Sequence, residues 1–237
     1  MKPVAILRHA ASEGPGHFAS FLDARSIPWR LVAIDAGDAV PKNAARFSAI
    51  ALMGGPMSVN DDLPWIARVV ELIRDAVRRD APVLGHCLGG QLIVKAFGGS
   101  VGPAAAKEIG WGRVEVADNA VAREWFGERQ AFEAFHWHGE TFTIPPGATR
   151  VLGNALCANQ GFALGKHFGL QCHVEMTSEM VRSWCELGRA EIEASAASPG
   201  VQRPEMILSG LEQRSAALQD VADLIYERWS ARLSRGS

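Results

Sequence analysis

Residues 85–89 (GHCLG) lie between two apolar segments, and they constrain the fold more than any other part of the sequence. Residues 81–84 predict a short buried strand, and residues 92–97 predict a helix that ends at a pair of glycines. A cysteine flanked by glycines between a strand and a helix is typical of a nucleophile elbow, a sharp turn that presents a reactive side chain at the end of a sheet. Unpaired N–H groups at the helix start would favour the thiolate form of Cys87. Taken alone, the five residues also fit a buried structural cysteine between chance glycines.

Apolar runs alternate with amphipathic stretches through the first hundred residues, as is typical of βα units that build a parallel sheet. Strands are predicted at residues 4–7, 29–34, 49–53 and 83–85. Helices are predicted at residues 18–25 and 64–79, the second with Asp61 and Asp62 as candidate caps. Later strands at residues 108–116, 131–137, 151–154, 159–164 and 168–172 predict an antiparallel extension.

Together these elements predict an α/β fold with an open, mixed, mostly parallel twisted sheet and helices on both faces, a three-layer arrangement of the flavodoxin-like kind. The length of 237 residues fits one domain over residues 1–237. Its C-terminal helical segment is predicted at about residues 177–234, with a break near the Ser-Pro-Gly sequence at residues 198–200.

Composition and charge argue against several classes of partner. The chain has 24 Lys and Arg against 26 Asp and Glu, a formal net charge of −2, so it lacks the basic excess that would hold a nucleic acid. The first eight residues contain too few apolar positions for a signal-peptide core or a membrane span, and we expect a cytoplasmic protein with no membrane partner. The four cysteines form no C-x-x-C pair, and a reducing compartment would leave them as thiols.

A cysteine that attacks an acyl carbon needs a base, a group that orients the base, and N–H donors for the oxyanion. Residues 169–175 (GLQCHVE) place His173 at the end of a predicted strand and Glu175 two residues later, on the same side of the chain. The N–H of Leu88 follows the nucleophile directly, and the two glycines at residues 54–55 offer a second donor from another strand end. Each feature has a plain structural explanation when taken singly, and their combination favours catalysis.

Other segments suggest different chemistry. The pair Arg8 and His9 invites comparison with histidine phosphatases, but a place for His9 at the rim of the strand ends fits better. Residues 13–16 (EGPG) predict either a loop that borders the same rim or a simple turn. His136 and His138 lie on one face of a strand, as metal ligands can, but no third ligand is evident from the sequence. We therefore predict no metal and no other cofactor.

Five separated motifs resemble those of the class I glutamine amidotransferases, most closely the amidotransferase domain of GMP synthase and its free-standing relatives. The motifs are residues 54–59 (GGPMSV), 85–91 (GHCLGGQ), 107–111 (KEIGW), 138–140 (HGE) and 169–175 (GLQCHVE). The last motif departs from the family pattern, which has an aromatic residue before the histidine and a proline after it, where this chain has Cys172 and Val174. These departures remove no catalytic group, but they give the backbone from His173 to Glu175 more freedom.

The resemblance implies that Cys87 attacks the side-chain amide of glutamine, that ammonia leaves, and that water hydrolyses the γ-glutamyl thioester. It implies that His173 is the general base and acid, oriented by Glu175. The oxyanion donors that it implies are Gly55 and Leu88, and the substrate-binding residues are Gly54, Gln91 and His138.

Three functions fit these features. The first is a glutamine amidotransferase that makes ammonia for a synthetase on a separate polypeptide, because the chain has no G-x-x-x-x-G-K-S/T loop with which to activate an acceptor. The second is a stand-alone γ-glutamyl hydrolase or peptidase, which would form the same thioester from a γ-glutamyl amide or peptide. The third is a catalytically idle binding protein, and the retained nucleophile, base and oxyanion donors argue against it.

Overall fold

The computed structural model describes residues 1–233, which contain ten strands and eight α-helices. The strands are β1 (Val4–Arg8), β2 (Trp29–Ala33), β3 (Ala49–Leu52), β4 (Val83–His86), β5 (Val101–Val116), β6 (Ala131–Phe142), β7 (Thr149–Gly153), β8 (Gly161–Leu164), β9 (His167–Leu170) and β10 (Gly200–Val201). The helices are α1 (Gly16–Ala24), α2 (Pro64–Arg78), α3 (Leu88–Ala96), α4 (Ala120–Phe126), α5 (Ser178–Leu187), α6 (Arg189–Ala194), α7 (Pro204–Leu208) and α8 (Leu211–Ser230).

The strands of residues 1–233 form one mixed sheet. Strands β2, β1, β3, β4 and β9 lie side by side in that order, and each neighbouring pair is parallel. Beyond β9 the order continues with β8, β7 and β5, and these pairs are antiparallel. Strand β5 also pairs with β6 antiparallel and with β10 parallel. The predicted fold class, a parallel half with an antiparallel extension, is confirmed.

Alternation of side chains along the central strands creates two cores, one on each face of the sheet. In β1, Val4 and Ile6 belong to one buried cluster, whereas Ala5 and Leu7 belong to the other. Helices α1, α4, α5 and α8 cover the first cluster, and α2 and α3 cover the second. Because both faces of the central parallel strands are covered, consecutive residues in them are apolar, as in β3 and in the first four residues of β1, rather than alternate ones. The predicted three-layer arrangement follows from this burial.

The prediction of an aspartate cap at the start of α2 was wrong. Neither Asp61 nor Asp62 caps α2, whose N-cap is Leu63 without a side-chain bond, followed by Pro64 as the first helical residue. A proline there replaces a side-chain cap because its fixed φ suits the first turn and its missing N–H needs no partner. Asp61 instead accepts a 3.0 Å hydrogen bond from the backbone N–H of Ser58 and closes the turn before the helix.

The C-terminal segment, predicted as helical over about residues 177–234 with one break near residues 198–200, is more divided than that, and its last predicted residue lies outside the described residues. The helix expected over residues 177–197 is divided at Gly188 into α5 and α6, and β10 then joins the sheet before α7. At Gly188 the chain passes so close to Trp137 that a Cβ would lie 2.2 Å from the indole ring. Helix α4 was not predicted, although Asn119 caps it by accepting a bond from Ala122 N–H. None of the helices within residues 1–233 is long and apolar enough to cross a membrane.

Candidate active site

The predicted elbow is the tight connection between β4 and α3, and Cys87 stands at its apex. Cys87 has φ = 49° and ψ = −109°, a conformation that residues other than glycine rarely adopt. The flanking glycines are needed for close packing of the backbone: a Cβ on Gly85 would lie 2.4 Å from the carbonyl carbon of Gly89. A Cβ on Gly89 would lie 2.2 Å from the carbonyl oxygen of Leu52. Strand, turn and helix are therefore pressed together, and this packing holds Cys87 in its strained conformation.

His173 and Glu175 lie together beside the elbow. The Nδ1 atom of His173 is 2.6 Å from Oε1 of Glu175, and both side chains are buried. The absence of the family's proline leaves this segment ordered, because the backbone of His173 pairs with that of Phe135 through bonds of 2.8 Å and 3.3 Å. The carbonyl of Glu175 in turn accepts a 2.8 Å bond from His17 N–H. The Nε2 atom of His173 makes no hydrogen bond within the described residues, and Cys87 lies near enough to this ring to raise its pKa.

The charged forms of His173 and Glu175 stabilise each other against burial. Burial alone would lower the pKa of His173, but the negative charges of Glu175 and Cys87 outweigh it and hold that pKa well above its ordinary value. Burial alone would raise the pKa of Glu175, but His173, with a smaller contribution from His86, lowers it to about 2. These shifts favour a charged imidazolium at His173 beside the carboxylate of Glu175.

Two further residues were missed in the sequence: His86 contacts Glu175, and Tyr226 contacts His86. His86, directly before the nucleophile, places Nε2 3.8 Å from Oε2 of Glu175. The same nitrogen lies 3.0 Å from the hydroxyl of Tyr226, on α8. Burial lowers the pKa of His86, although the charge of Glu175 opposes the shift. The carboxylate thus lies between two imidazole rings, and no local motif links Tyr226 to the elbow.

The predicted oxyanion donors lie next to each other at the cavity. The first intrahelical bond of α3 runs from Gln91 N–H to the carbonyl of Cys87, so the N–H of Leu88 precedes the bonded turn. Gly55 lines the cavity with Cys87, and a Cβ on Gly55 would lie 2.6 Å from Cδ2 of Leu88. Gly54 has no space for a side chain either, because its Cβ would meet a glutamate carboxyl and the ring of His173.

Gln91 belongs to an amide chain that reaches the sulfur. Its Nε2 donates a 3.1 Å bond to Oε1 of Gln171, and Nε2 of Gln171 donates a 3.5 Å contact to Sγ of Cys87. Both amides are buried, and Gln91 also lines the cavity. Gln171 lies inside the same motif as His173, but its contact with the thiol depends on the pairing of β4 with β9 and could not be inferred from spacing.

A cavity of about 400 Å³ opens above Cys87 at the carboxyl ends of β1, β3 and β4. Its volume falls in the range of small-molecule sites. The loop after β3 is tied across it to β6, because Ser58 Oγ donates a 2.9 Å bond to Glu140 Oε1. Trp184 on α5 closes another side: its ring meets that of His173 edge-on at 5.0 Å between centroids, and its Nε1 donates to the carbonyl of Ser12.

His138, predicted to bind substrate, lines the cavity but also belongs to a buried polar cluster. Its Nδ1 lies 3.0 Å from the carbonyl oxygen of Glu140, and its Nε2 lies 3.2 Å from Oε2 of Glu108. His136 lies beside them, and the ligand atoms of Glu108, His136 and His138 are within 4.8 Å of one another. The sequence had offered no third group near the two histidines, and β5 supplies it. Glu108 already accepts hydrogen bonds of 2.6 Å from Asn154 and 2.7 Å from Gln160.

His9 lies directly after β1 at the strand ends, as expected. Its Nδ1 is 3.0 Å from the carbonyl oxygen of Met53, and its ring stacks on Trp65 at 4.9 Å between centroids. Burial lowers the pKa of His9 to about 4, so its ring is neutral near pH 7. His9 therefore supports the loop after β3 rather than facing Cys87 across the cavity.

Comparisons with known proteins agree with this fold and site. The sequence profile of the family "Glutamine amidotransferase class-I" matches residues 21–183. The glutamine amidotransferase-like protein YfeJ of Salmonella typhimurium is 28% identical over 196 residues, which cover 80% of this chain and 82% of YfeJ. GMP synthase of Aeropyrum pernix is 32% identical over 159 residues, which cover 63% of this chain and 29% of that enzyme.

The crystal structure of a glutamine amidotransferase from Methylobacillus flagellatus superposes with a TM-score of 0.97 at 46% identity, over 100% of this chain and 97% of that one. The fold and the site define a general class: α/β proteins that carry a cysteine at a nucleophile elbow beside a His–Glu pair. The profile match then identifies the family: the chain belongs to the class I glutamine amidotransferases. The resemblance carried by the five motifs is confirmed.

Proposed function

We propose that this protein hydrolyses the side-chain amide of glutamine at Cys87 and releases ammonia. The observation that carries the proposal is the constellation of Cys87, His173 and Glu175, in which Cys87 lines a cavity of small-molecule size. Three features support it: Cys87 lines the cavity at the elbow, the buried carboxylate of Glu175 contacts the imidazole of His173, and the backbones of Gly55 and Leu88 are the proposed source of the oxyanion N–H donors.

The sulfur of Cys87 attacks the δ-carbon of the amide, and the carbonyl π electrons move onto oxygen. The N–H groups of Gly55 and Leu88 stabilise that oxyanion. As the tetrahedral intermediate collapses, the C–N bond breaks and His173 transfers its proton to the departing nitrogen, which leaves as ammonia. His173, now neutral, removes a proton from water, and the hydroxide attacks the thioester. The C–S bond breaks to give glutamate and restores the thiolate and imidazolium.

The ammonia would serve a synthetase on another polypeptide. GMP synthase is one relative whose name joins glutamine hydrolysis to synthesis, and the present chain matches 29% of its length. We infer a separate partner for this chain because its matched residues contain the amidotransferase motifs and no phosphate-binding G-x-x-x-x-G-K-S/T loop. We also propose one structural domain and a cytoplasmic location.

The test is ammonia release from glutamine by purified protein, beside the Cys87→Ala variant. We expect steady ammonia production by the natural protein and none by the variant. Mass spectrometry after acid quenching should show the mass of a γ-glutamyl adduct on the natural protein alone. Lack of turnover together with resistance of Cys87 to iodoacetamide would support the idle binding protein and reject the proposal.

A further inference from the structure

Glu13 is a cavity residue that the proposed mechanism does not use. It lies on the loop between β1 and α1 and lines the cavity with Cys87. A Cβ placed on Gly54 would lie 1.9 Å from Oε2 of Glu13 and 3.1 Å from Cε1 of His173. The carboxyl group of Glu13 and the catalytic imidazole therefore face the same small space above Gly54.

Two hydrogen bonds fix the loop segment that carries Glu13. The backbone N–H of Glu13 donates a 3.0 Å bond to the carbonyl of Ala10. The indole N–H of Trp184 donates a 2.8 Å bond to the carbonyl of Ser12. Trp184 also packs against His173, so one side chain positions the base and the loop that carries Glu13. This arrangement makes Glu13 a fixed part of the cavity wall.

The carboxyl group of Glu13 has no partner in the described part of the chain. Its Oε2 is buried and makes no hydrogen bond there. The other carboxylates that line the cavity are occupied: Glu191 contacts Lys107 and the indole N–H of Trp137, and Glu140 accepts a bond from Ser58. Burying a carboxyl oxygen without a hydrogen-bond partner costs folding free energy. We therefore expect this oxygen to interact with a bound molecule, through a hydrogen bond or through its charge.

The position of Glu13 indicates which half of a substrate it meets. His173 must reach the nitrogen that leaves, because it supplies the proton that completes the departure. A group beside Cε1 of His173 therefore lies on the leaving-group side of Cys87. Gln91 and His138, the residues expected to hold the γ-glutamyl half, line other parts of the cavity wall. Glu13 also precedes residues 21–183, so the family match carries no information about it.

We propose that Glu13 selects the leaving group, accepting ammonia and uncharged amines and rejecting leaving groups that carry a carboxylate. This inference rests on the proposed thioester chemistry and deepens it, because it separates glutamine hydrolysis from γ-glutamyl peptide hydrolysis. The amino acid that leaves a γ-glutamyl peptide carries its own carboxylate two bonds from the departing nitrogen. That carboxylate would have to approach the carboxylate of Glu13, whose Oε2 is buried, and like charges repel more strongly there than in open water.

The selectivity should depend on pH. Burial raises the pKa of Glu13 to about 7, and the charge of His173 opposes that shift while Glu175 adds to it. The titratable groups that act on Glu13 are His173, whose pKa is raised well above its ordinary value, and Glu175, whose pKa is lowered to about 2. Neither of these two groups titrates near pH 7, so among the three it is Glu13 whose charge changes there. Rejection of anionic leaving groups should therefore strengthen as pH rises through 7.

The experiment compares two substrates of similar size, γ-glutamylethylamide and γ-glutamylglycine, whose leaving groups differ by a carboxylate. We expect the natural protein to prefer the ethylamide in kcat/KM, with a ratio that increases between pH 6 and 8. The Glu13→Gln variant keeps the shape of the side chain and should lower the ratio about 10-fold or more at pH 8, with no remaining pH trend in the ratio. Glu140→Gln, another cavity carboxylate, should leave the ratio unchanged.

Each outcome has a distinct meaning. Equal losses for both substrates in Glu13→Gln would show a general effect on the site and overturn the selectivity. A preference for γ-glutamylglycine in the natural protein would overturn it as well and favour the peptidase. If neither compound nor glutamine is turned over and no adduct forms on Cys87, the proposed function fails and the inference fails with it. Near-identical circular dichroism and Cys87 alkylation in the variant would show that its site is intact.

Discussion

Cys87 shows how packing can maintain a conformation that a single residue would avoid. A positive φ at a residue with a Cβ costs on the order of 1–3 kcal/mol, and the neighbouring contacts must supply that energy. Here the backbones of Gly85 and Gly89 touch, and α3 is packed against β3 through Leu52. The strained turn places Cys87 at the cavity. In an elbow of this kind the N–H of the following residue is expected on the same side as the nucleophile.

Removing the base should affect turnover far more than weakening its support. In His173→Ala we expect kcat for glutamine to fall by about 10²–10⁴-fold, since no group would then protonate the leaving nitrogen. Glu175→Gln should lose less, because the nucleophile and the base remain. Steady-state ammonia assays of the two variants beside the natural protein measure both losses. Unchanged turnover in His173→Ala would remove this residue from the mechanism.

The Glu175→Gln variant also tests how the charge of the base is set. The carboxylate stabilises the charged ring of His173, so its loss should lower the pKa of that histidine. The pH dependence of Cys87 alkylation by iodoacetamide should shift accordingly, with a matched Glu140→Gln variant showing no shift. An unaltered alkylation profile would mean that Glu175 orients the ring of His173 without setting its charge.

The catalytic candidates were predictable at this scale because their signals are local. A glycine on each side marks Cys87, and a separation of two residues brings Glu175 to the ring of His173. The supporting residues were not predictable, because each depends on a distant contact. Tyr226 reaches His86 from α8, and Trp184 reaches Ser12 from α5.

At the scale of elements, the crossing of α3 over β3 and β4 decides whether the elbow can form. Alanine is normally preferred to glycine in a helix by about 1 kcal/mol. Gly89 should reverse this preference, since its Cβ would lie 2.2 Å from the carbonyl oxygen of Leu52, a backbone atom that cannot move aside. We expect Gly89→Ala to lower the free energy of unfolding by about 1–3 kcal/mol and to reduce turnover.

Gly102→Ala provides the comparison for that prediction. Gly102 lies in β5, where an added methyl group would meet nothing within 4 Å, and its φ is not positive. Its replacement should change the free energy of unfolding by less than about 0.5 kcal/mol. Urea denaturation of both variants measures the difference, and equal stabilities would refute close packing at Gly89.

Element prediction succeeded where burial on both faces makes consecutive strand residues apolar, as in β3 and in the first four residues of β1. It failed where the deciding contact comes from another part of the chain. Strand β10 has two residues and exists only through its pairing with β5. The division of the predicted helix at Gly188 depends on Trp137, whose ring occupies the space that a side chain would need.

At the scale of the whole molecule, the two cores bury several histidines as well as apolar side chains. His9, His136 and His167 are all at most 8% exposed. Burial lowers the pKa of each of them to about 4, against 6.5 for an exposed histidine. The folded state therefore holds these rings neutral at a pH where the unfolded chain would protonate them. Because the unfolded chain binds protons at these rings and the folded chain does not, the free energy of unfolding depends on pH.

The direction of that dependence follows from the lowered values. Because the folded pKa of each ring lies below the unfolded one, the stability is complete above pH 6.5 and declines as pH falls toward 4. Each histidine contributes up to about 1.4 kcal/mol per pH unit within this window. Glu175 does not add to the decline above pH 4.5, since its lowered pKa of about 2 preserves its charge in the folded state until the solution is more acidic.

We therefore expect the free energy of unfolding, measured by urea denaturation at pH 7, 6, 5 and 4.5, to fall steadily across the series. His136→Leu supplies the matched control, because neither ring nitrogen of His136 has a hydrogen-bond partner within residues 1–233 and leucine leaves no bond broken there. The slope of stability against pH should become shallower in this variant by one proton's contribution, up to about 1.4 kcal/mol per unit. A slope equal to that of the natural protein would show that His136 is protonated in the folded state, in which case Glu108 and not burial would govern its charge.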